Sequence, residues 1–135
     1  ITDPGNAPLL LTVSTYNHVT GSLYIHSSRG FTATGQIKPD FAAPGVEVQG
    51  PGIPPGTSRL SRQTGSSVAT AITAGAVACL FSWGFTQGND TTLTSISVKS
   101  ILIRGAERKE AFRYPNRQWG YGTLNLYQAF LLMRE

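Results

Sequence analysis

The sequence predicts an α/β fold with a mostly parallel sheet, and three observations support this prediction. The run LLLTV at residues 9–13 is apolar throughout, which is typical of a strand buried on both faces. Residues 63–89 carry no charged side chain, so their most apolar part, residues 66–85, is expected to form a fully buried helix. Residues 95–104 and 126–133 each place apolar side chains on one helical face. Strands followed by packed helices indicate a layered domain.

The remaining strands and loops are predicted from local composition. Residues 23–27 and 37–42 are strand candidates beside turn-forming sequences, and residues 46–48 (VEV) alternate as a half-buried strand does. Residues 50–56 (GPGIPPG) are expected to form a loop, because prolines and glycines at this density interrupt regular structure.

Polar residues and a glycine define the ends of the two later helices. Thr94 is a suitable N-cap for the helix over 95–104, and Gly105 stands where a glycine commonly follows a helix. Asn125 is the expected N-cap of the last helix, over 126–133.

Composition limits the classes of protein to which the chain can belong. With 135 residues, of which 40% are apolar and 13% charged, the chain is expected to form one folded domain at most. A single cysteine, Cys79, excludes an intramolecular disulfide, and its apolar surroundings predict a buried, unreactive thiol. Two histidines without clustered carboxylates argue against a metal site. The first residue, Ile1, and the lack of a signal-peptide pattern predict a mature product or an excised piece.

The net charge of +4 comes from the last part of the chain, and it does not indicate a nucleic-acid or membrane partner. Seven of the eleven basic residues lie within residues 99–135: Lys99, Arg104, Arg108, Lys109, Arg113, Arg117 and Arg134. Glu107 and Glu110 stand among them, so a solvated face of mixed charge is expected rather than a site for a polyanion. Residues 63–89 are long enough to cross a membrane, but their many small residues favour a helix inside an α/β protein.

The sequence GSSVATA at residues 65–71 is the strongest candidate for a chemical site. It lies where a glycine-containing loop is predicted to become the uncharged helix. A serine in the first turn lies near unpaired backbone N–H groups and the positive end of the helix dipole, where an oxyanion would be stabilised. The local pattern also permits a simpler interpretation, in which Ser66 or Ser67 only caps the helix.

Four segments in order along the chain favour the chemical interpretation. They are DPGNAP at residues 3–8 followed by LLLTVST, KPDFAAPG at 38–45, GSSVATAITAG at 65–75, and WGYGTLN at 119–125. In this order they resemble the substrate-pocket turn and strand, the segment before the serine, the serine motif, and the C-terminal helix signature of subtilisin-like serine proteases (subtilases). The resemblance covers nearly the whole chain and implies a subtilisin-like layered fold.

The resemblance implies specific roles for individual residues. Ser67 matches the nucleophile, its backbone N–H would contribute to the oxyanion hole, and Pro4 and Gly5 match the wall of the substrate pocket. The implied activity is that of a serine endopeptidase acting on a protein or peptide without a cofactor; the resemblance leaves structural calcium undecided. The chain departs from the motif at Ser66, where threonine is usual, and at residues 71–72, where Pro-His is common.

The catalytic aspartate, histidine and oxyanion asparagine of the family precede the pocket turn and have no counterpart in this chain. The chain therefore resembles the C-terminal portion of a catalytic domain over residues 1–135, with the N-terminal part as its partner, and by itself is expected to be inactive. His18 and His26 fall in a segment that the family uses as an exposed hairpin, so neither is expected to replace the base. Asp40 is expected to anchor the turn before residues 42–45 rather than to act as an acid.

A narrower resemblance concerns the tail of the chain. Residues 103–106 and 114–122 are similar to the tails of germination-type (Csp-like) subtilases of anaerobic spore-formers. This similarity implies a spore-cortex hydrolase proenzyme as substrate and the spore as location; otherwise an extracellular protease is expected. Two alternatives from other classes are a pseudoprotease or interaction module of the same fold, and a basic anion-binding domain.

Overall fold

A computed structural model describes residues 1–53 and 59–134, in which four short strands precede three α-helices. The strands are β1 (Val13–Tyr16), β2 (Phe41–Pro44), β3 (Val48–Pro51) and β4 (Leu60–Gln63), and the helices are α1 (Ser66–Phe81), α2 (Ser95–Gly105) and α3 (Leu126–Met133). A π-helical turn, Ser82–Thr86, continues α1.

The sheet that supports the helices is built on a parallel pair. β1 lies beside β2, with Val13 opposite Phe41. The other edge of β2 binds the segment before α3, since the Ala42 N–H donates to Gly122 O and the Leu124 N–H donates to Ala42 O, both at 2.8 Å. β3 and β4 form a separate antiparallel pair that leads directly into α1.

One hydrophobic core joins β2 to all three helices. Its buried residues are Phe41, Leu80, Leu93, Val98, Leu102, Ala106 and Ala129. Helices α2 and α3 approach each other closely at Gly105, where an added Cβ would lie 2.9 Å from the backbone nitrogen of Ala129. The predicted α/β fold is confirmed by this arrangement of strands and packed helices.

Helices α2 and α3 begin where the sequence predicts. Thr94 Oγ1 accepts from the Ser97 N–H at 3.2 Å, and Asn125 Oδ1 accepts from the Gln128 N–H at 3.0 Å. Gly105 is the last residue of α2 rather than the first residue beyond it.

The strand predicted at residues 9–13 is wrong in its position, because β1 begins only at Val13. The side chains of Leu9 and Leu10 are 75% and 45% exposed. The carbonyl oxygens of Pro8 and Leu10 accept hydrogen bonds from a lysine ammonium group, so this part of the backbone is occupied by a side chain.

Four further boundaries differ from the predicted ones. The strand predicted over 37–42 is β2, which runs from Phe41 to Pro44. Within residues 23–27, Leu23 forms an isolated bridge to Tyr16 instead of starting a strand. β3 begins at Val48, because Glu47 adopts a positive φ of 52° that interrupts an extended strand. Of the loop predicted over 50–56, Gly50 and Pro51 instead end β3, and residues 54–56 lie outside the described residues.

The prediction that the uncharged helix is fully buried is wrong for the described residues. Ala69, Thr73, Ala76 and Leu80 are buried, but Cys79 is exposed, which corrects the prediction of a buried thiol. The described chain therefore covers one face of α1. By length and composition, residues 66–86 would be long enough to cross a membrane, a test that core helices of soluble proteins also pass.

Candidate active site

The site is built at the N-terminus of α1, of which Ser66 and Ser67 are the first two residues. The N-cap is Gly65, and no side chain forms a cap hydrogen bond there. The interpretation of Ser66 or Ser67 as a simple helix cap is therefore wrong. Both side chains are exposed, and so their hydroxyl groups are accessible to a reacting molecule.

A series of backbone hydrogen bonds fixes this helix end relative to the sheet. The Gly45 N–H, just beyond β2, donates to Tyr16 O at the end of β1 at 3.1 Å. The Gly65 N–H in turn donates to Gly45 O at 2.8 Å, and Gly65 O accepts from the Val68 N–H at 3.1 Å. The start of α1 is thereby held at the carboxyl end of the parallel strands.

Gly45 is required for this close approach. A Cβ at Gly45 would lie 2.5 Å from Thr15 Cγ2 and 2.7 Å from Gly65 O, both far inside van der Waals contact. Sequence analysis placed this glycine in the segment before the serine but assigned it no role. The position of Gly45 one residue after β2 is the signal from which its role can be inferred.

The electrostatic environment of the two serines favours negative charge. The first N–H groups of a helix have no intrahelical acceptor, and the aligned peptide dipoles add positive potential there. The first turn of α1 contains no acidic side chain that would neutralise this potential. The backbone N–H of Ser67 is thus suited to stabilise an oxyanion, as the sequence predicts.

Two grooves meet at this helix end, and adjacent serines line different ones. Ser67 lines an open groove of about 430 Å³ with Val48, Pro51, Val68 and Ile72. Ser66 lines a second groove of about 410 Å³ on the other side of the helix end. Neighbouring side chains on a helix project about 100° apart, which accounts for the separation.

The second groove contains the predicted pocket wall. Pro4 and Gly5 line it together with Ser66 and Thr70. The predicted turn is present, since the Ala7 N–H donates to Pro4 O at 3.0 Å. The structure therefore brings the predicted wall beside Ser66, and the predicted nucleophile lies on the neighbouring groove.

Asp40 is buried in an ion cluster that sequence analysis missed. Its Oδ2 accepts from Lys38 Nζ at 2.8 Å, and its Oδ1 lies 3.2 Å from Lys99 Nζ. Burial lowers the pKa of the Lys38 ammonium group, and the hydrogen bond to Asp40 opposes that shift. The sequence around residues 38 and 40 does not indicate that their side chains are buried. The third member of the cluster, Lys99, lies far away in sequence, on α2.

The two histidines lie away from these grooves. His18 and His26 are exposed, and the ring of His26 packs edge-on against Tyr24 with centroids 5.4 Å apart. Neither histidine lines a groove with Ser66 or Ser67. Within residues 1–53 and 59–134, no group of three or more potential metal ligands is present.

Comparison with known proteins decides the family. The sequence profile described as "Subtilase family" matches residues 1–122. The chain belongs to the subtilase family. Its fold and its family-level class, that of serine proteases, follow from this membership.

Relatives and solved structures agree with this assignment. The mouse and human membrane-bound transcription factor site-1 proteases are each 34% identical to the chain, over 113 and 115 residues. These alignments cover 79% and 81% of the chain, which spans about a tenth of either relative.

The structural similarity extends over almost all of the 135 residues of this subtilase chain. The Clostridium perfringens CspB protease superimposes with a TM-score of 0.89 at 31% identity, over 98% of the chain and 28% of that protease. The patellamide maturation protease PatA superimposes with a TM-score of 0.74 at 26% identity, over 97% of the chain and 45% of PatA. Helix α1 is therefore part of a fold shared with these proteases.

Proposed function

We propose that the chain is the C-terminal portion of the catalytic domain of a serine endopeptidase, with Ser67 as its nucleophile. The observation that carries the proposal is the uncapped first turn of α1, where the exposed Ser67 side chain lies beside N–H groups without an intrahelical acceptor. Because the N-cap is Gly65, no side chain at that position accepts a hydrogen bond from these N–H groups.

The proposed reaction is acyl transfer to Ser67. A base removes the proton from Ser67 Oγ as this oxygen attacks the carbonyl carbon of a peptide bond. The carbonyl oxygen becomes an oxyanion, which accepts a hydrogen bond from the Ser67 N–H. The base then protonates the leaving amine, and water hydrolyses the acyl-enzyme to release the second product and restore Ser67.

The base and its orienting aspartate are supplied by the N-terminal part of the same catalytic domain. The groove at Ser67 supports this part of the proposal, because it is open, about 430 Å³ in volume, and lined by apolar residues such as Val48, Val68 and Ile72. An element seated in this groove would bring its side chains to Ser67 Oγ. The alignment with 28% of the CspB protease leaves room for such an element in the complete domain.

The substrate is a protein or peptide, and the similarity to the CspB protease favours a germination-type enzyme. In that case the substrate is the proenzyme of a spore-cortex hydrolase and the protein is located in the spore; otherwise we propose an extracellular protease. Nucleic acid and membrane are not among the proposed partners. The mixture of Glu107 and Glu110 with the neighbouring basic residues supports the exclusion of polyanions.

A fluorophosphonate probe tests the proposal, because it reacts only with an activated serine. In the complete protein we expect the probe to label Ser67, and Ser67→Ala to abolish labelling. The matched control is Ser66→Ala, which removes a neighbouring hydroxyl and should keep most of the labelling because Ser66 faces the other groove. Peptide mapping of the labelled protein identifies the modified residue.

Two results would contradict the proposal in different ways. Labelling that survives Ser67→Ala would show that another residue is the nucleophile. A folded complete protein that is not labelled at all would instead favour the pseudoprotease, which retains the fold and binds its partner without cleaving it.

A further inference from the structure

Two lysine ammonium groups and one carboxylate meet in the interior, beside the segment that follows Pro4 and Gly5. The side chains of Lys38 and Asp40 are 2% and 4% exposed, and that of Lys99 is 18% exposed. Two cations and one anion leave one positive charge in excess. A buried charge of this kind is tolerated only when other groups compensate it.

Carbonyl oxygens of one segment, residues 8–12, provide the compensation. Lys99 Nζ donates to Pro8 O at 2.8 Å and to Leu10 O at 2.9 Å, and Lys38 Nζ also donates to Leu10 O. The Asp40 carboxylate accepts from the Thr12 N–H at 2.7 Å. The ion cluster is therefore bonded to this segment at both of its ends.

Polar bonds hold this segment at its exposed positions, while Leu11 packs against the hydrophobic core. Leu9 is 75% exposed and Leu10 is 45% exposed, so their side chains contribute little packing. Thr12 Oγ1 donates to Gly5 O at 2.7 Å, which connects the segment to the pocket wall. Leu10, Thr12 and Gly5 all line the groove that Ser66 shares.

We propose that Lys38, Asp40 and Lys99 form a clamp that holds the wall of the substrate groove in place, and that Lys99 is a positioning residue for substrate binding. This inference rests on the proposed function. Lys99 reaches the wall from α2, so the clamp fixes the wall relative to the core against which α1 also packs. The wall contacts substrate away from the reacting bond, so its displacement weakens substrate and transition state equally.

The kinetic consequence is a rise in KM with little change in kcat. In the complete protease, Lys99→Met keeps the aliphatic stem and removes the ammonium group. We expect KM for fluorescein-labelled, unfolded casein to rise about tenfold, because both hydrogen bonds from Lys99 Nζ to the wall are lost and the wall is no longer held in its binding position. The matched control is Lys109→Met, which removes the same charge from an exposed side chain and should leave KM unchanged.

A binding experiment makes the test independent of catalysis. In a Ser67→Ala background, the anisotropy of the same labelled casein reports its Kd, and Lys99→Met should raise that Kd about tenfold by the loss of the same two hydrogen bonds to the wall. If Lys99→Met does not fold, Lys99→Gln, which keeps a donor without the charge, replaces it and should raise the Kd by a smaller factor.

Two results would overturn the clamp. They are an unchanged Kd and KM in a folded Lys99 variant, or a fall in kcat with KM unchanged. The proposed function fails by a different result, the absence of fluorophosphonate labelling, so the two failures are distinguishable.

Discussion

Helices α1 and α2 begin in opposite ways, although both start with small hydroxyl-bearing residues. At α2, Thr94 and Ser97 form a reciprocal capping box, in which each side chain accepts from the backbone N–H of the other. At α1, the N-cap is a glycine, and no side chain caps the helix. A side chain thus satisfies the Ser97 N–H at the start of α2, whereas no side chain caps the start of α1. The difference is consistent with the chemical role proposed for the start of α1.

The helices also differ in the side chains that they bury. Helix α2 buries Val98 and Leu102, and α3 buries Ala129, in the common core. Helix α1 is more apolar than α2, yet Ala74 and Cys79 are exposed on it, and Leu11, Val13 and Val77 line an open groove of about 280 Å³ beside it. The described chain therefore leaves the side chains of Ala74 and Cys79 on α1 uncovered.

The largest expected effect tests whether the general base for Ser67 is supplied by a part of the catalytic domain outside this chain. The isolated chain of 135 residues should not hydrolyse peptides, because a serine hydroxyl without a base is a poor nucleophile at neutral pH. Relative to the complete protein we expect kcat to be lower by about 10⁶, the typical cost of removing the base from a serine-protease triad. Casein hydrolysis by both preparations measures this ratio. Turnover by the isolated chain that Ser67→Ala abolishes would contradict the proposed division of the site.

A charge placed on the exposed face of α1 tests whether that face is covered in the complete protein. Ala74 lines the open groove beside α1. Ala74→Asp should therefore improve the solubility of the isolated chain. In the complete domain it should lower the free energy of unfolding by about 2–5 kcal/mol, in the range for burying an unpaired polar group. Ser100→Asp, at an exposed position of α2, is the control and should change neither property. Denaturant unfolding and gel filtration measure the two effects. Equal effects of both substitutions would show that α1 is not covered.

The sequence was informative where a local pattern determines the structure. The sequence predicts Thr94 and Asn125 as caps because a capping side chain and the backbone N–H that donates to it lie within three residues of each other. The serine motif was located because it lies at a change from glycine-containing loop to uncharged helix. Both features depend on neighbours along the chain, which a single sequence displays.

The sequence was uninformative where distant residues compete for the same backbone groups. Leu9 and Leu10 read as a strand, but a lysine about ninety positions further along binds the carbonyls of Pro8 and Leu10. The burial of Cys79 was predicted from an apolar sequence, whereas exposure depends on which elements are present to cover the helix. Local composition predicts neither the hydrogen-bond partners of a backbone segment nor the elements that cover a helix face.

The smallest expected effect returns to the two helix ends and concerns stability. Thr94→Ala removes a cap that satisfies the Ser97 N–H, so the free energy of unfolding should fall by about 1 kcal/mol. Ser67→Ala removes a hydroxyl from an exposed side chain at a helix end without a side-chain cap, so the free energy of unfolding should change by less than about 0.5 kcal/mol. Urea unfolding of the complete protein, followed by circular dichroism, measures both values under one condition.

The two variants should have opposite effects: Thr94→Ala should lower stability and keep activity, whereas Ser67→Ala should lose activity and keep stability. Thr94→Ala should retain fluorophosphonate labelling, because Thr94 lies in the terminus of a different helix from Ser67. Ser67→Ala should lose labelling while its unfolding midpoint stays close to that of the parent protein. A loss of about 1 kcal/mol from Ser67→Ala, equal to that of a cap, would mean that the Ser67 hydroxyl satisfies the helix end after all. The N-termini of α1 and α2 would then differ only in the geometry of their caps, and this difference would not support a chemical role for α1.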